Sequence, residues 1–367
     1  MKKASLAWFA LVAALVVACG SGGASPAPVE DAVAPAPPPA PGEYAIANRM
    51  EILKPVNVDA MNHESQTAVV VEDRGASVVM DVTYYPLRGA QTVTSNPTWR
   101  TDDAAMAEWL QPGVTANFDD AMKADLVSAL AKDGIDPAAH TDKGLVEKVT
   151  KWLLANFSGN APFIAYDVTF DGGVPVVKPE LRRAFDEEKS KFGLATDDEA
   201  FQRGLFGKGL FYARLHGSCT PSAILWTTAL RALGIPTRIV LTTPPVDANA
   251  PSQVDWLGAN VRNDAVKKVL DAGIAPAIGS WANHTFVEVW VGKTWVRLNY
   301  DRLGQPILDP HYFGLLTVVN RFRDWSESGL AETWGAYVAG VESGAPASLG
   351  SVNPYRSWSF ADNAPAP

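Results

Sequence analysis

Near the C-terminal third of the chain, two runs of β-forming residues, Asn283 to Val291 and Thr294 to Asp301, are separated by Gly292-Lys293 alone. A joint of two residues closes only a tight antiparallel hairpin, so Val291 faces Thr294. The side-chain period of two then fixes every other pair. Counting outward sets His284 opposite Asp301 and puts Asn299 on the diagonal of the same face, both within side-chain reach. A His with an acceptor beside it handles protons well. The acceptor holds the Nδ1 proton, which leaves Nε2 to take one from a nucleophile.

The matching nucleophile is Cys219. The segment His216-Gly217-Ser218-Cys219-Thr220-Pro221-Ser222-Ala223 runs into an apolar stretch that ends at Gly234-Ile235-Pro236. Ser218 reads as an N-cap, Pro221 is tolerated in a first helical turn, and Gly234 with Pro236 stops the helix. Cys219 therefore begins a buried helix, where unpaired N–H groups and the helix dipole favour a thiolate over a thiol. Its own N–H is a natural half of an oxyanion hole. Gly217 and Ser218 stand where substrate or an oxyanion would be held, and the missing side chain at Gly217 lets the backbone turn and leaves room. His216, close in sequence, points to no defined side of that turn.

Export is expected from the N-terminus. Lys2 and Lys3 precede an apolar run, Ala4 to Ala18, too short to span a bilayer comfortably. The run ends at Val16-Val17-Ala18-Cys19 and is followed by Gly20-Ser21-Gly22-Gly23, which resembles a bacterial lipobox and makes Cys19 the acylated anchor in the lipid bilayer of the cell envelope, with outer-membrane sorting expected. The chain has 2 Cys, so acylation of Cys19 leaves Cys219 without a disulfide partner in an oxidising compartment. Gly, Ser, Ala, Pro and Val then form a stiff tether. A net charge of −9 offers no basic stripe, and nucleic acid is not an expected partner.

Between tether and nucleophile, Gln66 to Glu72 and Ala76 to Leu87 flank an Asp73-Arg74-Gly75 turn, the pattern of a hairpin. Helical segments are expected from Asp102 and Asp103 through Leu110, and from Asp119 and Asp120 through Ala131. Leu145, Val149, Trp152 and Leu153 form an apolar helical face, so Trp152 belongs to the core. Glu180 to Lys191 reads as an exposed helix. Trp281, Trp290 and Trp295 lie near the His strand, where they are candidates for lining a peptide cleft. His63, His140 and His311 are scattered without ligand spacing, so neither metal nor cofactor is expected.

Taken together, Gly217 and Cys219 at a helix start, Ala232-Leu233-Gly234-Ile235-Pro236-Thr237-Arg238 leading into a strand, His284 with Glu288-Val289, and Trp295-Val296 resemble the transglutaminase-like superfamily. Cys219 and His284 are 65 residues apart (284 − 219). The resemblance covers roughly Ala104 to Trp325. It implies an α+β fold with a papain-like core, in which the helix bearing the Cys packs on an antiparallel sheet bearing the His, beside a small N-terminal β-rich region. It also implies Cys219 as nucleophile, His284 as base, and an acid four residues after Trp295. That position holds Asn299 instead, with Asp301 two residues on. Asn orients imidazole in Cys-His-Asn sites, so both remain candidates. The implied chemistry is a thioester acyl-enzyme on a peptide or protein amide, resolved by water or by a second amine. The alternative is a non-catalytic binding or structural module of the same fold. The expected organisation is a signal peptide over 1–18, tether 19–43, β-rich region 44–100, catalytic domain 101–340 and tail 341–367.

Overall fold

The computed structural model describes residues 45–53, 58–63, 66–75, 77–84, 93–96, 104–243, 284–300, 307–309, 318–327 and 357–361. Cys19, Asp301, Trp281 and His311 lie outside them, as do the signal and tether segments. Near the N-terminus, β1 (Ala45–Leu53), β2 (Gln66–Asp73) and β3 (Ser77–Tyr84) pair antiparallel. The β2–β3 connection turns where expected: the Asp73 carboxylate accepts the Gly75 N–H at 2.8 Å, and Gly75 has φ +80°, a turn that Asx and Gly residues favour.

The helix expected from Asp102 to Leu110 is not there. Asp102 and Asp103 are outside the described residues, and 104–110 form two 3-10 turns, Ala104–Met106 and Glu108–Leu110. Pro112 explains the stop, because a residue before proline is driven out of the helical region, and Gln111 is extended with ψ 146°. The next two helices form as read. In α1 (Asp120–Lys132), Asp119 caps by accepting the Met122 N–H. In α2 (Asp142–Asn156), Thr141 caps Gly144, and Leu145, Val149, Trp152 and Leu153 are buried. The Trp152 indole donates to Asp133 at 2.6 Å, which satisfies its one polar atom.

A two-stranded ribbon, β4 (Val168–Asp171) with β5 (Val174–Val177), precedes α3 (Arg182–Lys191), of which only Phe185 is buried. Then come α4 (Asp197–Gly204), α5 (Gly207–Ala213) and α6 (Cys219–Ala232). Every residue of α6 from Thr220 to Ala232 is buried, whereas Cys219 is partly exposed. The helix lies on a five-stranded antiparallel sheet made of β6 (Thr237–Thr243), β7 (His284–Val291), β8 (Thr294–Leu298), β9 (Leu308–Asp309) and β10 (Val318–Phe322), in the order β10-β6-β7-β8-β9. A last strand, β11 (Ser357–Ala361), pairs with β1 and completes a four-stranded sheet.

The architecture is thus α+β, with a Cys-bearing helix packed on an antiparallel sheet whose third strand begins at His284. Ile239, Leu241, Val287, Val289, Val296 and Leu298 share the core with α6, and Met61, Val78, Met80 and Val82 of the N-terminal region join the same cluster. The hairpin register follows the outward count: Val291 faces Thr294, and the described ladder continues to Val287 with Leu298. Gly292 and Lys293 have φ of +59° and +65°, the pair of positive values a two-residue type I′ turn demands. Residues of the other register parity are buried too. Glu288 is 2% exposed and accepts from Arg238 at 2.6 Å and from Arg321 at 2.8 Å, which ties β6, β7 and β10 by one carboxylate. Buried charge survives because it is paired.

Candidate active site

Cys219 owes its position to a short, heavily tied approach. Ser218 occupies the N-cap, yet its side chain makes no capping bond. Ser222, one turn into the helix, does the work instead: its hydroxyl accepts the Gly217 N–H at 3.2 Å and donates to the Gly217 carbonyl at 2.9 Å. The space beside Gly217 is not open. A Cβ there would lie 2.9 Å from the Ala161 Cβ, so the missing side chain admits the chain segment 158–161. That segment is stitched alongside: the His216 N–H donates to the Ser158 carbonyl at 2.8 Å, and the His216 carbonyl accepts the Ala161 N–H at 2.7 Å. The His216 ring meets Trp226 edge-on at 5.7 Å, and burial pulls its imidazole below the usual value, against a backbone hydrogen bond at Gly217. His216 is a packing residue here.

His284 opens β7, its backbone paired with Thr242. Asn299 is 5% exposed, and its N–H donates to the Ile307 carbonyl at 2.7 Å, which holds the chain just past β8. The link from the His strand to the Cys helix comes from residues the sequence reading did not single out. Tyr300 is buried, its ring stacked on Trp226 at 4.8 Å, and its hydroxyl lies 3.2 Å from the Cys219 carbonyl and 3.2 Å from the Thr285 carbonyl. One phenol therefore spans from the Cys219 backbone to the residue next to His284. The outward count that pairs His284 with Asp301 also pairs Thr285 with Tyr300, so this contact had a signal in the hairpin.

A second bridge consists of hydroxyls. Thr220 and Thr285, both fully buried, bring their Oγ1 atoms to 3.1 Å. Tyr166 adds its hydroxyl at 3.3 Å from Thr285 and 3.5 Å from Thr220. Cys219 Sγ is 4.0 Å from Thr220 Oγ1. Burial, and after it the negative charge of Cys219, push the Tyr166 phenol well above its ordinary range, while hydrogen bonds with Thr220 and Thr285 pull the other way. The phenol stays protonated, a donor beside the sulfur. No sequence pattern announced Tyr166, which sits in the stretch between α2 and β4 that the sequence left without a role.

Trp290 and Trp295 pack on each other at 5.5 Å, with Trp109 against Trp295 and the Arg238 guanidinium 4.2 Å over the Trp295 ring. Among the described residues, Cys219 forms no disulfide, no group of three or more His, Cys, Asp or Glu is placed to hold a metal ion, and no helix is long and apolar enough to cross a membrane.

Among known proteins, the family model of the transglutaminase-like superfamily matches residues 194–300. None of the curated proteins compared matches the chain. Solved structures similar to it include a candidate cysteine protease from Cytophaga hutchinsonii, 13% identical, with a TM-score of 0.36 over 78% of this chain and 83% of that one. A TGase is 10% identical, with a TM-score of 0.24 over 73% of this chain and 53% of that one. Whole-chain superposition is loose at such scores, and the family match identifies the domain. Residues 194–300, which hold Cys219, His284 and Asn299, belong to the transglutaminase-like superfamily.

Proposed function

We propose that this chain is an exported thiol enzyme acting on peptide or protein amide bonds, with Cys219 as nucleophile and His284 as base. The observation that supports it best is the junction of helix and strand: the partly exposed Cys219 starts a helix that is otherwise buried, and the Tyr300 hydroxyl ties its carbonyl to that of Thr285. A Cys at the head of a helix, with a His at the start of the strand bonded to it, is a nucleophile with a base at hand.

The Cys219 thiolate attacks the amide carbonyl, and the Cys219 N–H at the helix start supports the oxyanion. His284 then gives its proton to the leaving amine, so that a thioester remains on Sγ. Water resolves the thioester while His284 takes its proton back. An amine in place of water gives transamidation, but no feature of the chain specifies an amine acceptor, and hydrolysis is the primary reading. Asn299 or Asp301 orients the imidazole. The lipobox-like Cys19 anchors the enzyme to the cell envelope.

The test is alkylation by iodoacetamide across pH 4 to 9 in the full chain carrying Cys19→Ser, which leaves Cys219 as the one thiol. Reaction well below the ordinary thiol value of ~8.5, lost on His284→Ala, is the expected result. If Cys219 is inert until the chain unfolds, the fold serves as a non-catalytic module.

A further inference from the structure

Thr220 donates toward the Thr285 and Tyr166 hydroxyls and lies within reach of Cys219 Sγ. We propose that Tyr166, Thr285 and Thr220 form a chain of hydroxyl groups that terminates on Cys219 Sγ, Thr220 being the positioning residue that hydrogen-bonds the thiolate from the core side. The inference rests on the reading of Cys219 as the nucleophile. It adds three residues that no family motif in the sequence marks.

Thr220, Thr285 and Tyr166 hold one hydroxyl proton each, and their oxygens are 3.1, 3.3 and 3.5 Å apart. A hydroxyl donates once and accepts through two lone pairs. With a thiol at Cys219, the three protons can circulate within the cluster. Once the sulfur is ionised, the acceptor of highest charge is Sγ, 4.0 Å from Thr220 Oγ1 and from no other hydroxyl of the three at hydrogen-bond range. Thr220, which donates toward Thr285 and Tyr166 in the structure, turns its proton to sulfur, and both bonds reverse so that its oxygen accepts from Thr285 and Tyr166, each of which still has a proton to give.

Burial makes the arrangement effective. Thr220 and Thr285 are both 0% exposed, so water does not compete for their protons, and a donor to a charged group in such surroundings is about twice as strong as a neutral pair. The geometry is held by regular elements and packing: Thr220 sits in the first turn of a buried helix, Thr285 on a strand paired on its other edge with Leu241, and Tyr166 against Trp325 edge-on at 5.2 Å. Tyr300 is excluded from the chain because its proton serves the carbonyls of Cys219 and Thr285. Among the described residues, titratable groups on the elements packed around Cys219 include Tyr166 before β4, His216 ahead of α6, Tyr300 after β8, and His284 and Glu288 of β7, the last paired with Arg238 and Arg321.

The experiment measures the pH midpoint of Cys219 alkylation in the full chain with Cys19→Ser, alone and with Thr220→Val, Thr220→Ser or Tyr166→Phe. Val matches Thr in shape and lacks the hydroxyl; Ser keeps it. Thr220→Val is expected to raise the midpoint by about one pH unit, which is about tenfold less reaction at any pH below both midpoints. Tyr166→Phe is expected to raise it by about half a unit, and Thr220→Ser to restore the wild-type value. A residue that served only packing would lower the unfolding midpoint and leave the titration where it was. Should Thr220→Val not fold, Tyr166→Phe alone decides. If wild-type Cys219 reacts at low pH and no hydroxyl variant moves the midpoint, the chain of donors is overturned while the nucleophile stands. If wild-type Cys219 titrates as an ordinary thiol or not at all, both fall together.

Discussion

Asp142 fastens the hairpin that carries His284, and its removal is a direct test of what holds the sheet in place. Its carboxylate, 3% exposed, accepts the Asn96 N–H and the Lys143 N–H on one oxygen at 2.7 Å each, and the Gly292 N–H on the other at 2.7 Å. The Lys143 bond is local to the first turn of α2. The other two join the helix to the 93–96 segment and to the β7–β8 turn. The turn is gripped from both sides, since the Thr94 hydroxyl also donates to the Gly292 carbonyl at 3.3 Å. A hydrogen bond to a charged group contributes about 1.5–3 kcal/mol, so Asp142→Ala is expected to cost about 3–5 kcal/mol, a large part of the ~5–15 kcal/mol typical of a domain. Asp142→Asn retains one acceptor oxygen and should lose about half as much. Urea unfolding with linear extrapolation reads both values. The turn lies at the far end of the eight-residue β7 from His284, roughly 25 Å at ~3.3 Å per residue. The alkylation midpoint of Cys219 in the folded Asp142→Asn protein should therefore stay within about 0.3 pH units of wild type while stability drops. A change in stability below about 0.5 kcal/mol for Asp142→Ala would show that the turn holds without the carboxylate and would refute the reasoning.

Two further outcomes follow from the same structure. Burial, with a contribution from Glu188 and opposition from Lys178, raises the Asp167 carboxyl to about 7. The unfolded value is ~3.9, so the folded state binds the proton more tightly and stability falls as pH rises from about 4 to about 7. Counting about half of that span for a partly exposed group gives a loss of about 2 kcal/mol. Asp167→Asn should flatten that slope in unfolding curves taken at pH 4.5 and 8, and equal slopes in the two proteins would exclude Asp167 as the source. Gly217→Ala puts a Cβ 2.9 Å from the Ala161 Cβ and 3.2 Å from its carbonyl oxygen. Overpacking of this kind costs about 1–3 kcal/mol, and it should also slow Cys219 alkylation. Unchanged stability and unchanged alkylation together would mean that the 158–161 segment yields freely.

The hairpin was legible because a two-residue joint leaves one register, and from Val291 with Thr294 down to Val287 with Leu298 the chain obeys it. The α6 boundaries were legible too, through Pro221, Gly234 and Pro236. What failed was the assignment of individual polar groups. Ser218 looked like the cap because N-cap propensity is local, yet the bonds to Gly217 come from Ser222, whose hydroxyl returns across the first turn. The 104–110 segment has helical spacing, and Pro112 ends it before a helix can propagate. Strand β11 pairs with β1 across nearly the whole chain, and periodicity says nothing about a partner so distant.

The threonines of α6 show why the site was only half visible. Thr220, Thr227 and Thr228 are the same residue on the same buried helix, and all three are 0% exposed. Threonine is a weak helix former whose hydroxyl must be satisfied or tolerated when buried, so each needs a reason found outside the helix. Thr228 lies against Gly207, where a Cβ would come within 1.8 Å of its hydroxyl, so it marks the close approach of α5 to α6. The hydroxyls of Thr227 and Thr228 find no hydrogen-bond partner among the described residues, whereas Thr220 meets Thr285 from the sheet and Tyr166 from the 158–167 stretch. Packing accounts for Thr228 without any appeal to chemistry. It does not account for Thr220, because an apolar side chain of the same shape would fill that space without bringing three hydroxyls together beside a sulfur. Shape can be supplied by valine, and a proton directed at Sγ cannot. The comparison of Thr220→Val with Thr220→Ser therefore separates the two explanations at the one position where the structure places them in competition.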